Sequence, residues 1–389
     1  MIFDAINEYI DGKEAQMLEF WRDLVRIESP SSCKEGVDRV GARISAFCEN
    51  ELGYHIRYQY DDVYGNCLAA CSCPFSEFVD GIVISAHMDT VHPIGFFDPL
   101  LEEDENCLYG PGAGDCKGGI VLALLTAAAL KKSGYKKRPI KLLFAADEES
   151  GGPSGRSFYS NELSGAAVMF NAESGLFGKI VTGRKSSIIA TFDIVGKAAH
   201  IGYINGMPVN ANREAALKLL ALENASDYDH LTFCGSTIQG GTVATSVSNQ
   251  CRLEVNVRIK TEKDIERAMD LLRTVANTSY VEGSKCVLTI RGNTQPMDET
   301  KGNLWLCRHF NDAAAQLGYP LFDPVIVGGA SDASYASMLQ IPVICATGPV
   351  VEYQHTRNER VWKHSMAQRA KIHTAAIWNL PDTLPNFDE

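Results

Sequence analysis

Short apolar runs closed by turn residues recur along the chain. Ile82-Val83-Ile84-Ser85-Ala86, Ile140-Lys141-Leu142-Leu143-Phe144-Ala145 and Ala166-Ala167-Val168-Met169-Phe170 lack the polar alternation of a half-exposed strand and predict buried ones. A fourth run, Ile341-Pro342-Val343-Ile344-Cys345, carries a proline that places it at a strand start or sheet edge. A helix-like stretch, about Lys117 to Ser133, separates the first two runs and closes at Gly134. Strands alternating with helices predict an α/β layer fold with a mixed, mainly parallel sheet.

The middle of the chain reads differently. Strands are expected at Ser187 to Val195, Leu231 to Gln239, Gln250 to Lys260 and Lys285 to Arg291, with helices at Val209 to Glu223 and Glu262 to Asn277. The order β-α-β-β-α-β is that of a ferredoxin-like α+β domain. It predicts an inserted domain over residues 183–292, flanked by a discontinuous catalytic domain of residues 1–182 and 293–389.

Composition narrows the function classes. A length of 389 residues with 45% hydrophobic and 22% charged residues suits a soluble globular chain of two or three domains. The net charge of −12, with Lys136-Lys137-Arg138 as the longest basic cluster, argues against a nucleic-acid partner. No run of about 18 apolar residues predicts a membrane span. The N-terminus lacks a basic segment followed by an apolar one, so no signal peptide is expected and the cytoplasm is the expected location. The 12 scattered cysteines read as reduced thiols.

Each of the first three strands runs into residues of metal-ligand type: His87-Met88-Asp89, Asp147-Glu148-Glu149 and Glu173. In open α/β sheets the carboxyl ends of strands face one crevice. Taken singly, each residue has a plain structural reading, such as an N-cap for Asp115 or a solvated face for Glu148-Glu149. Several carboxylates gathered in one place, however, repel unless a cation neutralises them. The glycine-rich segment Gly110-Pro111-Gly112-Ala113-Gly114-Asp115-Cys116-Lys117-Gly118-Gly119 is not a phosphate loop, because Gly118 stands where Ser or Thr is required after the lysine. Its glycines instead allow a sharp bend that can aim Asp115 into a site.

These segments together resemble the M20 metallopeptidases over nearly the whole chain. His87-Met88-Asp89-Thr90-Val91 is similar to the family's first motif, Gly112 to Gly119 to its second, and Asp147-Glu148-Glu149-Ser150-Gly151 to its third. Glu173 and the segment Tyr353-Gln354-His355-Thr356, followed by Asn358-Glu359-Arg360, complete the series. The resemblance implies a zinc-peptidase-like catalytic domain holding two Zn2+ ions, with Co2+ or Mn2+ as substitutes. By the same resemblance Asp115 would bridge both ions, His87 and Glu173 would complete one site, and Glu149 and His355 the other. Glu148 is the implied general base, and Asp89 fixes the His87 imidazole.

Further roles follow from the same resemblance. Gly196-Lys197-Ala198-Ala199-His200-Ile201-Gly202 matches a segment whose histidine crosses from the partner of a homodimer, built through the inserted domain, to stabilise an oxyanion. Arg258 matches an arginine that binds a substrate carboxylate, with a solvent-facing strand arginine as its competing reading. Gly329 and Ser331, in Gly328-Gly329-Ala330-Ser331-Asp332-Ala333, match a segment lining the substrate cleft. Thr245, Ser248 and Asn256 depart from the family pattern, as does Ser174 in place of a proline; these touch substrate contacts and leave the metal motifs intact. Cys116 is expected to be a buried spectator, following a cis Asp115–Cys116 peptide. The implied activity is amide hydrolysis of an N-acyl amino acid or short peptide with a free carboxylate. An aminopeptidase or dipeptidase, and a catalytically silent ligand-binding homologue, are the alternatives.

Overall fold

The computed structural model describes residues 2–292 and 294–387. The chain divides into two compact units, one of residues 1–183, 299–327 and 331–389 and a second of residues 184–298 and 328–330.

The first unit is built on a six-stranded sheet. Its central strand, Gly81–His87, is buried along its whole length and pairs in parallel with Ile140–Ala145 on one side and Ala166–Asn171 on the other. Burial on both faces explains why these strands are continuously apolar. The sheet continues through the antiparallel strands Cys67–Cys71 and His55–Gln59 at one edge and the short parallel strand Val343–Ile344 at the other. The fourth apolar run thus contributes two residues to this sheet, and Pro342, which has no N–H to give a ladder, immediately precedes them.

Helix Lys117–Lys132 is buried over nearly its entire length. Its close seating depends on Gly119, where a Cβ would stand 2.0 Å from the Ala172 carbonyl oxygen. The helix start is thereby pressed against the backbone next to Glu173. The N-terminal helix Ile2–Val25 buries Ile6, Ile10, Met17 and Trp21, one face at helical spacing. Trp21 Nε1 donates to the Ala113 carbonyl at 2.7 Å and ties that helix to the glycine-rich loop.

The second unit has the order expected of a ferredoxin-like domain. Strand Ser186–Val195 pairs antiparallel with Gln250–Ile259 and Lys285–Arg291, and Leu231–Gly240 pairs antiparallel with Gln250–Ile259. Helices Ala211–Glu223 and Lys263–Asn277 cover one face. The first of these begins later than Val209 because Asn210 caps it, its side chain accepting the N–H groups of Asn212 and Arg213. The core is a single apolar cluster that includes Ile188, Phe192, Leu253, Val255, Val257 and Leu272. Among the described residues no helix is long and apolar enough to cross a membrane.

Candidate metal centre

Three parallel neighbours in the sheet deliver their C-terminal ends to one place. His87 is the last residue of the central strand. Ile140–Ala145 runs into a tight turn over Glu148–Ser150, and Ala166–Asn171 leads within two residues to Glu173. Asp115 arrives on the glycine-rich loop immediately before helix Lys117–Lys132. His355 comes from a loop after Val351–Glu352 and holds a left-handed backbone with φ of 62°, a conformation that non-glycine residues adopt at a cost.

The side chains converge around Asp115. Its Oδ1 lies 3.2 Å from His87 Nε2, and its Oδ2 lies 3.4 Å from His355 Nε2. His87 Nε2 is also 3.5 Å from Glu173 Oε1, while His355 Nε2 is 3.4 Å from Glu149 Oε2. The two oxygens of one carboxylate therefore face two separate donor sets. Groups of potential ligand atoms within 4.8 Å of one another comprise His87, Asp115, Cys116 and Glu173; Asp115, Glu149 and His355; and His87, Glu148 and Glu149. The Cys116 thiol is turned toward the Ala172 carbonyl, 3.3 Å away, and the Asp115–Cys116 peptide is cis.

The electrostatics call for a cation. Hydrogen bonds to Asp115 and Glu149 push the His355 imidazole up to about 10. Burial opposes a charge on His87, but Glu173, Asp115 and Asp89 together outweigh it and hold the ring well above its ordinary value. Burial, reinforced by Glu173, holds Glu148 well above the carboxylate range. Glu149 Oε1 is buried and has no hydrogen-bond partner among the described residues. The carboxylates of Asp115, Glu148, Glu149 and Glu173 thus crowd two imidazoles where divalent ions would neutralise them. Nitrogen and carboxylate donors in this number suit zinc, and also cobalt or manganese.

Asp89 organises the surroundings. It is fully buried, and its carboxylate accepts the backbone N–H groups of Glu148 and Glu149, both at 3.1 Å, and the Ser31 hydroxyl at 2.6 Å. Its Oδ1 stands 3.3 Å from His87 Nδ1, and its carbonyl is 3.0 Å from the same nitrogen. Asp89 thus sets the orientation of His87 and the direction of the turn carrying Glu148. Asp147 does similar work one step away, accepting the N–H groups of Ser154 and Gly155. Ser31, Asp332 with its Tyr159 partner, and the pair His92 and Glu359 are parts of this environment to which sequence reasoning attached no role. Glu359 falls inside a segment with a signal; Ser31 and His92 have none.

The substrate-side residues are distributed differently. His200 and Arg258 belong to the second unit, as does Gly329; Ser331 belongs to the first. His200 is exposed, and its Nδ1 accepts the Gly202 N–H at 3.1 Å, which puts the ring proton on Nε2. Arg258 Nη1 donates to the Gly328 carbonyl at 3.0 Å. Gly329 is exposed and its carbonyl accepts from Arg184. Ser331 is buried instead, its hydroxyl accepting the Ala333 N–H and lying 3.4 Å from Cys345 Sγ.

The model of peptidase family M20/M25/M40 matches residues 83–379. Carboxypeptidase G2 of Pseudomonas sp. (strain RS-16) is 26% identical over 398 aligned positions, covering 98% of this chain and 92% of that protein. A tripeptidase from Staphylococcus aureus superposes with a TM-score of 0.77 at 22% identity, covering 94% of this chain and 97% of its own. The YXEP protein of Bacillus subtilis, described as a dinuclear metal-binding peptidase, superposes with a TM-score of 0.67 at 16% identity over 94% of this chain and 98% of its own. With the family match spanning most of the chain, the protein belongs to peptidase family M20/M25/M40 and is a metal-dependent hydrolase of peptide-type C–N bonds.

Proposed function

We propose that the chain is a two-zinc hydrolase that cleaves the amide bond of an N-acyl amino acid or small peptide with a free carboxylate. The observation that carries this reading is Asp115, whose two oxygens face two separate donor sets. His87 and Glu173 would hold one ion with Asp115, and Glu149 and His355 the other. When bound, paired ions polarise a carbonyl and supply a nucleophile at neutral pH. Glu148, next to the ligand Glu149 and held by Asp89 through its own N–H, takes the proton from the attacking water and returns it to the leaving nitrogen. Asp89 keeps the His87 ring and the Glu148 turn in register throughout.

Recognition falls to the second unit in this reading. His200 exposes an Nε2–H donor suited to a developing oxyanion, supplied by the partner in a homodimer built through the second unit. Among the described residues Arg258 has no carboxylate partner, and a substrate carboxylate would neutralise it. Gly329 lines the substrate cleft, and Ser331 supports the same segment from its buried position. The cytoplasm is the proposed location, a reducing compartment that would keep buried thiols such as those of Cys67 and Cys107 reduced.

The test is hydrolysis of N-acyl amino acids and dipeptides by protein reconstituted with zinc, cobalt or manganese. Blocking the substrate carboxylate should abolish turnover, and blocking the amine should not. The reverse pattern would establish an aminopeptidase or dipeptidase. Metal uptake with no hydrolysis of any member of the panel would leave only a ligand-binding role.

A further inference from the structure

Glu359 is fully buried although it belongs to the exposed turn that presents His355. Its backbone N–H donates to the Thr356 carbonyl at 3.2 Å, closing that turn. Its carboxylate is spent elsewhere. Oε1 accepts the backbone N–H groups of Gly114 at 3.0 Å and Asp115 at 3.1 Å. Oε2 accepts from His92 Nε2 at 2.8 Å. His92 is itself held by rings, stacked on Phe96 with centroids 5.3 Å apart and edge-on to Phe97 at 4.9 Å. One buried carboxylate thus receives three donors from two loops, while its own backbone belongs to a third.

We propose that Glu359 is a positioning residue that clamps the Asp115 loop to the His355 turn and so fixes the distance between the two metal sites; this rests on the two-ion reading given above. A carboxylate out of water is stable only where donors replace its hydration, and these donors are the backbone of the loop that must aim both oxygens of Asp115. Charge-assisted hydrogen bonds to backbone N–H groups are shorter and stronger than neutral ones. The ion shared by Asp115, Glu149 and His355 depends on the clamp twice, because two of its three donors sit on the clamped segments. The ion at His87 and Glu173 has only Asp115 there, since His87 ends one sheet strand and Glu173 follows another by two residues. Loss of the clamp therefore weakens one ion preferentially, a signature that general destabilisation does not produce.

The test is a cobalt(II) titration of metal-free protein, followed by visible absorption, on wild type, Glu359→Ala and Glu359→Gln, with thermal melts alongside. Wild type should bind two ions. Glu359→Ala should bind the first within about threefold of wild type and the second about 10–100-fold more weakly, the range typical of groups behind metal ligands. Glu359→Gln keeps an acceptor for the Gly114 and Asp115 N–H groups and should recover most of the second affinity. Two ions in wild type with unchanged affinities in Glu359→Ala would overturn the clamp and leave the two-ion reading standing. A single ion in wild type would overturn both. If Glu359→Ala does not fold, Glu359→Asp replaces it: the charge stays and the oxygens retreat by one methylene, and an unchanged second affinity again overturns the clamp.

Discussion

Asp115 Oδ2 lies 3.4 Å from His355 Nε2, although the two residues come from opposite halves of the chain. The other oxygen of the same carboxylate is committed to His87, so no second acid is required to connect the two donor sets. Asp115→Asn keeps the volume and removes the shared charge. It should retain fewer than half the ions that wild type retains after dialysis, with turnover reduced by orders of magnitude. Elemental analysis of the dialysed variant checks this, and full metal content would remove Asp115 from the bridging role.

The proposed mechanism makes Glu148 separable from metal binding. Glu148→Gln preserves the backbone N–H bond to Asp89 and removes the proton acceptor. Metal content should stay at the wild-type level while kcat falls by about 10²–10⁴-fold, the usual worth of general acid–base catalysis. A kcat within about tenfold of wild type would reassign the base.

Asp89→Ala strands two backbone donors and a hydroxyl that the carboxylate now satisfies. Unsatisfied buried donors cost roughly 1–3 kcal/mol, so urea denaturation should show a loss of that order. Metal affinity should fall as well, because His87 loses the group opposite its Nδ1. Asp89→Asn keeps one acceptor oxygen and should fall between the two. Equal stability of wild type and Asp89→Ala would show the carboxylate to be dispensable to the turn.

His373 supplies a pH dependence away from the metals. Burial, with the nearby Arg369 charge acting the same way, lowers its pKa from 6.5 to about 3, while its Nε2 bonds the Thr347 carbonyl at 3.2 Å. The ring packs against Phe170 and Phe310 with centroids 5.3 and 5.2 Å away. The unfolded chain binds this proton near pH 6.5 and the folded one does not. The contribution of His373 to stability is therefore complete above pH 6.5 and is lost as pH falls toward 3, at about 1.4 kcal/mol per pH unit. His373→Gln does not titrate. The difference in unfolding free energy between wild type and His373→Gln should shift by about 2 kcal/mol, in favour of the variant, between pH 7 and pH 5. A constant difference across that range would mean that His373 titrates in the fold as it does in the unfolded chain.

The linear pattern determined much of this protein. Runs such as Ile82 to Ala86 carry a strand signal within themselves, because a strand buried on both faces must be apolar throughout. The β-α-β-β-α-β order of the second unit is legible for the same reason: periodicity and turn residues act over a few positions. His87, Glu149 and Glu173 stand out because a polar residue ends or follows an apolar run. Weaker signals were misplaced at the ends. The run at Ile341 pairs with Ala166–Asn171 only over Val343–Ile344, just after the proline, and Cys345 bridges to Val181 instead. Among the first 71 residues Cys67–Cys71 is also an uninterrupted apolar run, while the N-terminal helix shows only one apolar face and the edge strand His55–Gln59 alternates polar and apolar residues.

Tertiary structure alone decided the rest. Which oxygen of Asp115 meets which histidine depends on the packing of a glycine-rich loop against Trp21 and Ala172. Ser31 reaches Asp89 across 58 positions, and Glu359 reaches the Gly114 N–H across 245. A serine or glutamate that will accept or donate one hydrogen bond across such a separation has no local periodicity to announce it, because the bond's energy depends on where the fold brings its partner. Ser331 shows the same limit: its motif alone does not announce that its hydroxyl accepts the Ala333 N–H and lies beside Cys345 Sγ.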